Sequence, residues 1–187
     1  FDETTKLLGE KLFYARYMPM TYYEGDDFNE SALQGQINLG VFMKILLIKR
    51  LESSFFAFKK SIDRFLKTYE TFIDVFEKGS VYISKEHSNK ILDLLESDNE
   101  EAVEKLLKED KAHRYESKEF KEKFIKELKS DLLILQKIQE LWSKVDKDPK
   151  LDSFIHKLAE NKILKNSHLI IFTESKETAR YLSGNLE

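Results

Sequence analysis

A small set of residues in this chain has the types and spacing to meet an anion. Thr173, Ser175, Lys176 and Thr178 follow an apolar run and open a helix, so backbone amides, hydroxyls and an ammonium converge at its N-terminus. Far upstream, Lys49 and Arg50 lie in KRLESS, where Lys49 and Glu52 are spaced to pair and Arg50 shares a helical face with Ser54. Two chemistries fit that cluster: an ion-paired knot that fixes a helix at a domain junction, or a lysine or arginine that reaches a phosphate. The strand-to-helix turn is generic on its own, because any β-α unit ends this way.

No other constellation points to catalysis. There is no glycine-rich phosphate loop and no His/Glu spacing of a metalloprotease. His87, His113, His156 and His168 are scattered and read as structural or solvated, and Asp2-Glu3 reads as a helix start. The acidic run Glu96, Asp98, Glu100, Glu101 and Glu104 reads as a solvated face, with a partner-binding patch as the alternative. No catalytic residue, metal site or cofactor site is expected within these residues. With 31 Lys plus Arg against 34 Asp plus Glu, the net charge of −3 makes no general case for nucleic acid, so any such contact has to be local. The absence of cysteine excludes disulfides and thiolate metal sites and suits a reducing, cytoplasmic setting. No apolar stretch approaches the ~20 residues of a membrane span.

The elements that must position these residues are helices. High charge, six Gly and two Pro favour long helices with few turns. The spacing predicts a helix over Asp2 to Met18, stopped by Pro19, and then a polar connection to about residue 37. A long helix is expected from Asn38 to Lys78, closed by Gly79. Its apolar residues Leu47, Leu51, Phe55, Phe58, Ile62, Phe65, Tyr69, Phe72 and Phe76 step by four and three. A second helix, Ser117 to Val145, carries Phe120, Phe124, Leu128, Leu132, Leu135, Ile138, Trp142 and Val145 on one face and should pack antiparallel to the first. Between them, Val81 to Ile83 reads as extended, with short helices over 88–96 and 99–109 at the tip. Pro149 then opens a helix that leads to the apolar run Leu169 to Phe172.

The expected fold class is therefore mainly α: a long antiparallel helical hairpin or bundle with a single terminal β-α unit. Residues 1–37 form its N-terminal helix and connection, 38–145 the helical arm, and 146–187 the β-α region. A strand so apolar is ordinarily buried in a parallel sheet, which suggests that the chain is a piece of a larger protein.

IIFTESKETARYLSGNL at 170–186 resembles the fourth conserved motif of superfamily two helicases, at the entry to the second RecA-like lobe. KDPKL at 147–151, LLIKRLESSFFAFKKSIDRFL at 46–66 and YARYMP at 14–19 are similar to the inter-lobe region of bacterial Snf-type helicases, the branch with RapA-like and phospholipase-D-linked members. The resemblance implies an inter-lobe arm and the start of a truncated RecA-like lobe, from an ATP-dependent translocase acting on duplex nucleic acid, DNA in particular. It implies ATP and Mg for the parent protein, with the missing RecA-like lobes as partners. Thr173, Ser175, Lys176 and Thr178 would then lie near the nucleic-acid backbone, with Lys49 and Arg50 as companions. The alternative is a helical module that binds another protein or dimerises, with no nucleic-acid role.

Overall fold

A computed structural model describes residues 1–26, 30–83, 113–173 and 175–186. The chain is mainly helical, with one small two-stranded antiparallel sheet among the described residues. The short helix α1 (Asp2–Lys6) runs into a π-helical turn at Leu7–Lys11, then short 3-10 turns at Ala15–Tyr17 and Pro19–Tyr22. The main bundle follows as α2 (Glu30–Ser53) and α3 (Phe55–Glu77). Strands β1 (Ser80–Ile83) and β2 (His113–Glu116) pair with Val81 opposite Tyr115. Next come α4 (Glu122–Ser143), α5 (Pro149–Glu160), α6 (Lys162–Lys165) and α7 (Lys176–Leu186).

The hairpin forms between α3 and α4. Phe76 near the end of α3 meets Phe120 and Phe124 before and within the first turn of α4, whereas Phe58 near the start of α3 meets Trp142 near the end of α4. Only an antiparallel pair produces both contacts. The four-three alternation marks this seam, since Phe58, Ile62, Phe65 and Tyr69 are buried against Phe124, Leu128, Leu135 and Ile138. Gly79 ends α3 with φ +90°, a backbone state that a Cβ disfavours. Asp148 caps α5, accepting from the amides of Lys150 at 3.1 Å and Leu151 at 3.2 Å, with Pro149 in the first turn.

Three expectations are corrected by the backbone. The single helix over 38–78 is two helices, and the first begins at Glu30. Ser54 between them is extended (φ −156°, ψ 130°), and its hydroxyl accepts from the Ala57 amide at 3.3 Å. Consecutive serines compete for backbone groups, which suits them to caps more than to helix interiors. Ser54→Ala should cost about 1 kcal/mol, read as a shift in the denaturant midpoint. The helix over Asp2 to Met18 stops at Lys11, and Tyr14 then takes the left-handed conformation at φ 59°. The terminal run 169–172 forms neither helix nor strand and belongs to no sheet among the described residues. The tip helices expected at 88–96 and 99–109 lie outside the described residues. No helix among the described residues is long and apolar enough to cross a membrane.

Candidate functional site: a polar junction and an open strand

The last turn of α2, the first turns of α3 and the N-terminus of α7 meet at one polar junction. Arg50, only 4% exposed, donates from Nη1 to the Ser175 hydroxyl at 2.6 Å and to Glu177 Oε2 at 2.7 Å. Arg64 on α3 donates to the other Glu177 oxygen and, through Nη2, to the Ser61 hydroxyl at 3.1 Å. The Ser53 and Thr178 hydroxyls lie 3.5 Å apart. Ser175 also caps α7, accepting from the Thr178 amide at 3.2 Å, while its own amide donates to Thr173 Oγ1 at 3.3 Å. Glu177, in the first turn of α7, supplies negative charge to a helix N-terminus and shares it between two guanidiniums.

Of the residues singled out by sequence, the fold thus gathers Arg50, Thr173, Ser175 and Thr178. Lys49 and Lys176 are exposed. Arg64 and Glu177 were missed, although Glu177 carries a signal: an acidic residue in the first turn of a helix that opens with Ser and Lys. An aromatic brace lies alongside, where Phe56 stacks on Tyr181 with centroids 5.0 Å apart and rings 2° from parallel. Burial and the neighbouring Asp148 carboxylate push the Tyr181 phenol up.

The segment leading into this junction is held in the open. Leu169 and Ile171 are each 43% exposed, and Ile170 and Phe172 are 82% and 90% exposed. The exposure alternates residue by residue, one side half covered and the other in solvent. The backbone groups of 169–172 have no hydrogen-bond partner among the described residues.

A second polar centre lies inside the bundle. Asp131 on α4 is fully buried and accepts from the Phe13 amide at 2.6 Å, the Ala15 amide at 2.9 Å and the Tyr69 hydroxyl at 3.0 Å. Burial pushes its carboxyl up, the three hydrogen bonds pull it partly back, and it settles at about 6. The two amides flank Tyr14, so one carboxylate pins the left-handed residue from both sides, while the Tyr14 hydroxyl donates to the Leu8 carbonyl at 3.1 Å. One turn earlier, Glu127 accepts from the Tyr22 hydroxyl at 2.6 Å and pairs with Lys123 at 3.3 Å. These contacts clamp the N-terminal segment onto α4. Among the described residues, no group of His, Asp and Glu is arranged to hold a metal ion.

The family whose description reads Uncharacterised protein family (UPF0158) matches residues 43–178, more than half of the chain. No curated protein and no solved structure matches. This finding overturns the resemblance to Snf-type superfamily two helicases, and with it the helicase, hydrolase and ATP-binding description. The physical reason lies in how little the motif demands. An apolar strand, a hydroxyl cap and an amphipathic helix with Thr and Ala are what any strand-to-helix turn requires. The expectations of ATP, Mg and a duplex lose the resemblance as their support.

Proposed function

The chain belongs to the UPF0158 family, and from that premise we propose that it is an α-helical protein–protein interaction module that docks through residues 168–173. One observation carries the reading: an exposed apolar segment outside any helix or sheet, its backbone without a hydrogen-bond partner among the described residues, anchored on its C-terminal side by the Arg50–Ser175–Glu177 junction. Unpaired strand edges are templates for another chain. Covering Ile170 and Phe172 offers a partner roughly 1.5–3 kcal/mol for each side chain. The junction supports the same reading from the other side, because Arg50 is engaged by Ser175 and Glu177 within the fold. The α3/α4 seam serves the internal core, so the open segment is the better docking element.

The test is amide hydrogen exchange on the dilute chain together with a duplex DNA titration. Amides 169–172 should exchange near the unprotected rate while those inside α7 are slowed, and added duplex should bind weakly or not at all at moderate salt. Protection of 169–172 in the dilute monomer removes the docking element. Tight, salt-dependent duplex binding abolished by Lys49→Ala would replace the reading with a nucleic-acid one.

A further inference from the structure

We propose that Arg50 and Arg64 form a cradle for a phosphate monoester, filled in this conformation by the Glu177 carboxylate of α7, which an external dianion displaces. The observation behind it is how α7 is held. Of the described residues in α7 only Thr178 is buried, while Ala179 and Leu186 are exposed and Tyr181 and Leu182 are partly covered, so little apolar surface secures the helix. What secures it is polar. Glu177 gives one carboxylate oxygen to each guanidinium, Ser175 accepts from Arg50, and the Thr178 and Ser53 hydroxyls lie 3.5 Å apart, with the Phe56–Tyr181 stack beside them. The chain leading into α7 adds no hold, because the backbone of 169–172 has no hydrogen-bond partner among the described residues. The helix therefore presents an anion to a receptor built by other elements. Arg50 comes from the end of α2 and Arg64 from within α3, where the Ser61 hydroxyl on the same helix accepts from Arg64 at 3.1 Å and does not depend on α7.

The chemistry of the cradle selects its ligand. A carboxylate brings two oxygens and one charge, whereas a phosphate monoester brings three oxygens and nearly two charges, and can take both guanidinium forks at once. A diester of the nucleic-acid backbone, with two free oxygens and one charge, has no such advantage over Glu177. Because Glu177 is on the same chain, it competes at an effective concentration on the order of millimolar, and the apparent affinity for an outside ligand falls accordingly. Removing Glu177 should restore it.

The test is a titration with phenyl phosphate at constant ionic strength, above pH ~7 where the monoester is mostly dianionic. In the wild-type chain, saturable binding should speed amide exchange in α7 while α3 and α4 stay protected. Glu177→Gln should bind at least about tenfold more tightly, and Arg64→Gln should lose at least about tenfold in either background. Arg64 is the more exposed of the two arginines, so the bundle should keep its amide protection in that variant. Dimethyl phosphate should bind at least about tenfold more weakly than phenyl phosphate. A phosphoserine peptide, added in the same way, separates a modified side chain from a small ligand as the source of the group, and the tighter binder names that source.

No saturable binding by Glu177→Gln, equal affinity with and without Glu177, or binding indifferent to Arg64→Gln each overturns the cradle. Equal binding of the diester overturns the ligand class. Neither result touches the exchange of amides 169–172, so the docking reading stands or falls separately.

Discussion

Glu177→Ala is expected to undock α7 and to lower stability by about 3 kcal/mol, as for a largely buried ion pair that loses one partner. Arg50, itself buried, then loses the Glu177 carboxylate that it pairs with at 2.7 Å, and Ser175 offers it a dipole but no negative charge. The value sits at the low end of the range for such changes because Glu177 is partly open to solvent. Hydrogen exchange separates a local from a global effect. The α7 amides should lose their protection while those of α3 and α4 keep most of theirs. Adding Arg50→Met to Glu177→Ala should recover part of the loss, because the buried guanidinium that lost its Glu177 pair has gone and an apolar side chain of similar length fills its place. An α7 that stays protected in the single variant means that the Phe56–Tyr181 stack is sufficient to hold the helix.

The second large effect centres on Asp131. Asp131→Ala strands the Phe13 and Ala15 amides and the Tyr69 hydroxyl in a dry interior, at a cost of roughly 3–5 kcal/mol. Asp131→Asn keeps the shape and removes the titration, so it isolates the pH effect. The carboxyl, at about 6 in the folded chain, is raised above its unfolded value, so the folded state holds its proton more tightly. Its contribution to stability is fully present below the unfolded value near ~4 and is lost as pH rises through ~6, a change of roughly 2–3 kcal/mol. Exposed Glu3, Glu116 and Glu122, each lowered by a lysine partner, act in the opposite sense, but both variants share them. The stability difference between wild type and Asp131→Asn should therefore fall by that amount from pH 4 to pH 7. A difference that is flat or rising across this window rules out a raised Asp131.

The hairpin could be read from sequence because its information is local. Four-three stepping of large apolar residues, Gly79 at a helix end and Asp148-Pro149 at a helix start each act within one or two turns. Asp131 was half visible: three residues after Leu128 and four before Leu135, it falls on the buried stripe, where a carboxylate must find donors. Its donors are backbone amides 118 and 116 positions away, and no periodicity encodes them. The same limit hid the end of the first helix, since that distant carboxylate accepts from both amides flanking the left-handed Tyr14. At the junction, Arg50, Ser175 and Thr178 stood out as anion-seeking groups. Among the described residues the anion that Arg50 meets is Glu177, a residue type too common to attract notice. The apolar run 169–172 has the composition of a strand, but the described residues give it no pairing partner and it forms none, because a strand needs a neighbour that local pattern does not supply.

The single extended residue between α2 and α3 has a consequence for how this sequence tolerates length changes. A continuous helix carries angular phase from one end to the other, so one inserted residue swings everything beyond it by about 100°. Ser54 resets that phase. Lengthening α2 would rotate what lies upstream of the joint, whereas the seam that α3 makes with α4 is set on the other side of it. A change of length in α2 can thus leave the internal hairpin in register, while the seam and the Arg64 and Phe56 contacts to α7, all carried by α3, keep one common rotational setting.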